Sequence, residues 1–172
     1  MVLKADWAAA QVAKKIISSC KFLKHIQTRF KKIVVVDTEF QSDISNTYCT
    51  KALCAVYKDL STGQVLKIWD HEQDNLAQHH FDFEETLFVC FYATAEAGYF
   101  LKQLMGRPPY IFDCWTEYAK LYKNSRELSL LAAATAYAYP NPISKEEKER
   151  FRDMCILQNT WTKKEQKQIL DY

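Results

Sequence analysis

The chain has 172 residues, 48% hydrophobic and 14% aromatic, with three glycines and a formal net charge of +2. That size and composition suit one folded domain with a substantial core and exclude a disordered or fibrous chain. So small a charge does not itself mark a nucleic-acid binder, and no run approaches the roughly 18–20 apolar residues of a membrane span.

Residues 5–30 read as an amphipathic helix, because Val12, Ile16, Cys20, Leu23, Ile26 and Phe30 recur at three- and four-residue steps. Lys14, Lys15, Lys21, Lys24, Arg29, Lys31 and Lys32 crowd the same stretch, as a solvated helix face or as phosphate contacts. The period then breaks. IVVVDTEF (33–40) is a β-branched run of the kind covered on both faces of a sheet. YCTKALCAVYKD (48–59) alternates and ends at the turn signal LSTG, so QVLKIWD (64–70) becomes the second arm of a hairpin. HEQDNLAQHHFDFEE (71–85) is polar and reads as a loop with a short helix.

ETLFVCFY (85–92) is a further buried strand, and AEAGYFLKQLM (95–105) a helix stopped by Gly106 and two prolines. YIFDCW (110–115) reads as a short strand, TEYAKLYKN (116–124) and ELSLLAAATAYAY (127–139) as helices. Ser144-x-x-Glu147 and Thr162-x-x-Glu165 match the capping box and open two C-terminal helices. The order predicts a mixed α/β fold with one sheet: a single domain over 1–172, with an N-terminal helix (1–30) and a core (31–172). Six cysteines (Cys20, Cys49, Cys54, Cys90, Cys114, Cys155) lack any C-x-x-C pair, and several lie in apolar runs. They read as buried free thiols in a reducing compartment. With no signal-peptide pattern, a cytoplasmic protein without a membrane partner is expected.

The acids carry the functional reading. In a strand, Asp37 and Glu39 point to the same side, about two residue rises apart. Paired carboxylates repel and raise each other's pKa unless a cation joins them. Ligands of α/β sheets gather beyond the carboxyl ends of strands, and oxygen donors there suit Mg²⁺ or Mn²⁺. A surface strand end would also account for D-x-E. The next buried strand runs into a helix with an early acid, Glu96, which Thr94 can cap and the helix dipole stabilises. A plain helix-start acid is the alternative. Three acids at adjacent strand ends would suit metal-assisted phosphodiester hydrolysis.

VVVDTEF followed by FYATAEAGYFL resembles motifs I and II of the DEDD 3′–5′ exonucleases, members of the ribonuclease H-like superfamily. The later stretches AEAGYFLKQLMGRPPYIFDCWTEYAKLYKN, SLLAAATAYAY and WTKKEQKQILDY are similar to the proofreading domain of phage- and bacterial-type family A DNA polymerases. The resemblance implies a ribonuclease H-like mixed sheet with flanking helices and a two-metal Mg²⁺ or Mn²⁺ site. It makes Asp37, Glu39 and Glu96 metal ligands, places Thr38 and Phe40 beside the nucleic acid, and implies a single-stranded DNA 3′ end as partner, with RNA as the alternative. A polymerase domain or a protein partner would fit the same family. Asp113 matches an acid that is structural in the family and stays outside the catalytic set.

Motif III normally reads Tyr-x-x-x-Asp, and Tyr172, the last residue, falls at its tyrosine, where it would help place water. The fourth carboxylate is then expected beyond residue 172, and Asp171 is a poor substitute for it. An excised piece of a longer enzyme, an inactive truncation and a family member recruited for binding are the three accounts. The catalytically inactive binding module is therefore the alternative to the exonuclease. Glu stands for the usual Asp at 96 and Tyr92 for the usual Asn.

Elsewhere, His79 and His80 read as metal ligands or, with Gln78 and Asp82 flanking them in a polar loop, as plainly solvated; His71 after a strand is equally open, and no Gly-rich phosphate loop is present. Trp115, Tyr118, Tyr122, Tyr137 and Tyr139 recur at helical spacings, as core or as a stacking surface for unpaired bases. Lys120, Lys123 and Arg126 lie nearby in sequence, the first two as candidate nucleic-acid contacts.

Overall fold

A computed structural model describes residues 10, 14–15, 26, 28–42, 49–69, 81–102, 108–123, 127–139 and 144–172. Within the expected N-terminal helix, residues 10, 14, 15, 26, 28 and 29 are helical and Phe30 lies past the helical residues; the rest of that stretch lies outside the described residues, as do His71, His79, His80 and Arg126.

Five strands form one sheet: β1 (Lys32–Ser42), β2 (Cys49–Asp59), β3 (Val65–Trp69), β4 (Thr86–Cys90) and β5 (Ile111–Asp113), in the order β3-β2-β1-β4-β5. Antiparallel pairing joins β1 to β2 and β2 to β3, whereas β4 and β5 run parallel to β1. The β2–β3 turn is built on Asp59, whose Oδ1 accepts from the Ser61 N–H at 2.7 Å. Gly63 there takes φ +76, a conformation that side-chain-bearing residues rarely adopt.

Besides the N-terminal helical residues, five helices follow or flank the strands among the described residues: α1 (Ala93–Lys102), α2 (Cys114–Leu121), α3 (Leu130–Ala136), α4 (Lys145–Leu157) and α5 (Lys163–Leu170). Strand alternation sorts the core into two faces. Val34, Val36, Ala55, Tyr57, Ile68 and Phe88 pack with Tyr99 and Phe100 of α1. Val35, Leu87 and Val89 pack instead with Cys114 and Tyr118 of α2 and with Ala133 and Ala134 of α3. Cys54 and Trp69 meet Phe151 and Cys155 of α4 and Ile169 of α5. Val34, Val35 and Val36 are 0–5% exposed, so the β-branched run is covered on both faces as its composition requires.

Boundaries depart from the sequence reading at three places. The strand 110–115 is cut to three residues, because the Asp113 carboxylate accepts from the Trp115 N–H at 3.0 Å and starts α2 at Cys114. Its other oxygen accepts from the Thr116 hydroxyl at 2.9 Å, which keeps Asp113 structural. α1 begins at Ala93, so Thr94 lies inside the helix rather than capping it. α3 is shorter than expected, starting only after Ser129, whose hydroxyl accepts from the Ala132 N–H at 3.1 Å.

The capping box at Thr162 and Glu165 is complete in both directions. At Ser144 the hydroxyl accepts from Glu147 N–H, while Glu146 rather than Glu147 reaches back to the serine. Cys49, Cys54, Cys90, Cys114 and Cys155 are free thiols, four of them buried. No helix among the described residues is long and apolar enough to cross a membrane.

Candidate active site

The ladder between β1 and β4 ends at Val35 and Val89, while β1 continues beside β2 as far as Ser42. Past that point the chain leaves β4 for α1, and β1 runs on with its β4 side open. A cleft of about 670 Å³ occupies the opening. Asp37, Thr38 and Glu39 line it from β1, Glu96 from the first turn of α1, and Tyr172 from just beyond α5. Residues up to 135 positions apart in sequence thus share one depression.

Its electrostatics are those of crowded, poorly hydrated acids. Burial pushes the Glu39 carboxyl from the ordinary 4.5 up to about 8, and the nearby Asp37 charge adds to the effect. Burial raises Asp37 too, against an N–H bond from Thr38 and the Lys148 charge, both of which favour its ionised form. Glu96 is 5% exposed and is raised well above the usual carboxylate range, by burial first and by Asp37 next. Its Oε2 and the Thr38 Oγ1 are buried with no hydrogen-bond partner in the described structure. Burial and the charges of Glu39 and Asp37 also raise the Tyr172 phenol, whose ring lies 4.5 Å from that of Phe151.

Two residues that the sequence reading passed over complete the site. Lys148 and Arg152 reach the cleft from α4, one helical turn apart on the side that also buries Phe151 and Cys155. Lys148 is the cation facing Asp37 and Glu39 that the acid pair called for. The signal was present as an i, i+4 basic pair flanking Phe151, but nothing local tied it to residues more than a hundred positions earlier. α4 is held against β1 by Gln41, whose amide donates to the Cys155 carbonyl at 3.2 Å and to that of Gln158 at 2.6 Å. The Cys155 thiol in turn bonds to Glu39.

Other candidates lie elsewhere. Phe40 follows a register shift between Glu39 and Phe40 and does not line the cleft. Lys120 pairs with Glu117 at 2.6 Å on α2, and Lys123 is exposed in the turn after that helix; neither lines the cleft. Asp171 pairs with Lys67 of β3 at 2.5 Å and is likewise outside it. Of the helical aromatics, Tyr118 is buried, with the Tyr122 ring 4.6 Å away, and belongs to the core. Trp115 lines the cleft together with Tyr92.

Three carboxylates with an orphaned buried oxygen match the hard-oxygen donor chemistry of Mg²⁺ or Mn²⁺. Among the described residues, no group of three or more His, Cys, Asp or Glu is arranged to hold an ion. The match is thus one of donor type and of charge rather than of a formed coordination shell.

No protein-family model and no curated protein matches the chain. Among solved structures it is similar to Escherichia coli RNase D, an exoribonuclease involved in structured RNA processing, at 13% identity and a TM-score of 0.55. That likeness covers 99% of this chain and 40% of RNase D, so the chain spans less than half of its neighbour's length. It is a likeness of architecture, and the chain has the ribonuclease H-like α/β fold, a mixed sheet with flanking helices.

Proposed function

We propose that this domain is a metal-dependent 3′–5′ exonuclease that hydrolyses the phosphodiester bond at a single-stranded nucleic-acid 3′ end. The observation that carries the reading is the convergence of Asp37, Glu39, Glu96 and Tyr172 on one cleft beyond the carboxyl end of β4. Asp37 and Glu39 would hold Mg²⁺ or Mn²⁺, with Glu96 supporting them through its unpartnered buried oxygen. The bound cation supplies an activated water and steadies the leaving oxygen. Tyr172 would help place the attacking water, its phenol kept protonated by burial and the acids around it. Lys148 and Arg152 meet the anionic backbone; Arg152 suits a bidentate contact and Lys148 a point charge. The described activity of the RNase D neighbour supports RNA as the substrate, with DNA as the alternative.

The test uses 5′-labelled single-stranded RNA and DNA oligonucleotides with Mg²⁺ or Mn²⁺. Stepwise shortening from the 3′ end is expected, abolished by chelation and by Asp37→Asn. The reading fails if neither nucleic acid shortens. A second reading is a nuclease fold that binds nucleic acid or a protein partner without cutting: among the described residues the acids that share the cleft are not arranged as a formed coordination shell. Absence of Mn²⁺ binding in a calorimetric titration, with retained oligonucleotide binding, would select it.

A further inference from the structure

One wall of the cleft has no part in the hydrolytic chemistry above. Tyr92 stands there 49% exposed, in the two-residue link between β4 and α1. Its ring meets Trp115 edge to face, with centroids 5.8 Å apart and planes at 81°. Both rings line the cleft that holds Asp37, Glu39 and Glu96. A tyrosine left half in water beside a tryptophan offers apolar surface that the core does not use.

The backbone adds an independent observation. Tyr92 has φ +151, a conformation rarely adopted by residues with a side chain, and such strain persists only where the surroundings impose it. Here β4 fixes one side, and on the other the Ala95 N–H donates to the Tyr92 carbonyl at 2.9 Å. Trp115 is fixed as well, since its N–H is held by the Asp113 carboxylate. The backbone is thus held at both residues, the two rings rest against each other edge to face, and Lys148 and Arg152 line the same cleft from α4.

We propose that Tyr92 and Trp115 form a stacking platform for the 3′-terminal base of a single-stranded nucleic acid whose backbone meets Lys148 and Arg152. The proposal rests on the exonuclease reading for the polarity of the strand. Every base presents a π face, so the platform takes any base but needs it unpaired. Duplex ends must open before they enter, and the four bases bind alike.

The experiment is a fluorescence-anisotropy titration of the chain with 5′-fluorescein hexanucleotides in EDTA, so that binding is read apart from cleavage. An abasic 3′ terminus weakens binding by about 5- to 150-fold, the equivalent of the roughly 1–3 kcal/mol of one stacked base. Tyr92→Gly, which also relieves the backbone, binds the intact strand weaker by a similar factor and is indifferent to the abasic end. It melts no lower than the native chain, and Tyr92→Phe binds like the native chain. Equal affinity for intact and abasic termini, or no binding at all, overturns the platform. That arm uses the native chain and stands even if a variant fails to fold. Terminal-base-dependent binding without Mn²⁺-dependent shortening keeps the platform and removes the exonuclease. Shortening with no dependence on the terminal base does the reverse.

Discussion

The two halves of β1 are one strand against one partner, yet they behave as opposites. Val34, Val35 and Val36 are sealed, whereas Asp37 and Glu39, directly after them, open into a cleft. Both halves pair with β2 in continuous register as far as Glu39 and Cys54. What differs is the other side: the β4 ladder ends at Val35. A mismatch in strand length thus converts core into site, with no change of backbone type. The rigid half fixes where the acids stand, and the open half leaves them facing burial, each other and one lysine.

Removing core that packs against the sealed half should have the largest effect. Phe88 of β4 is fully buried, and the rings of Phe81, Phe83 and Phe100 surround it at 5.4–5.6 Å. Phe88→Ala should lower unfolding stability by about 3–5 kcal/mol, as expected for a large cavity in a close-packed core. Urea unfolding would measure it, and a loss below 1 kcal/mol, the scale of a surface change, would refute the division of β1.

The open half should respond to pH in the reverse sense from an ordinary acid. Glu39 is raised from 4.5 to about 8 in the folded chain. Between those values the folded state holds more protons than the unfolded one, so stability falls as pH rises from about 4.5 to 8. A tenfold change in proton affinity corresponds to about 1.4 kcal/mol, which makes the slope measurable by melts across that range. Glu39→Gln should flatten it and raise stability at pH 8. A slope unchanged in the variant would mean that Glu39 is not the crowded acid described.

How much of this was legible in the chain depends on the distance between the residues concerned. The β-branched run and the alternation of Asp37 and Glu39 are local, so periodicity and strand geometry alone placed them on one strand and one side. Glu96 was legible because the turn from β4 to α1 is short and forces the helix start toward the neighbouring strand end. Lys148 and Arg152 were not, because their place depends on how α4 docks, and that docking runs through Gln41 and two carbonyls at the helix's far end. Lys120 drew attention for the opposite reason: it is near Trp115 in sequence, but helical geometry gave it to Glu117 instead.

The docking contact offers an intermediate test. Gln41→Ala removes both hydrogen bonds to α4 and leaves the Gln158 and Cys155 carbonyls to find other partners. A loss of about 1–3 kcal/mol is expected for breaking such part-buried bonds. Oligonucleotide affinity should fall with it, because Lys148 and Arg152 lose their fixed position. A stability loss with unchanged affinity would detach α4 from the site.

The smallest expected effect compares two lysines. Lys120 is 62% exposed at its side chain, with Glu117 at 2.6 Å, a surface pair contributing about 0–1 kcal/mol. Lys148 faces Asp37 and Glu39 inside the cleft. Lys120→Ala should leave both the melting midpoint and the oligonucleotide affinity close to native, while Lys148→Met should weaken binding and push Glu39 further up. Both substitutions remove one positive charge, so a difference in oligonucleotide affinity between them reports chiefly where that charge stands. If Lys120→Ala weakened binding as much as Lys148→Met, the nucleic acid would follow α2 rather than the open end of β1, and the cleft would lose its claim to the strand's 3′ end.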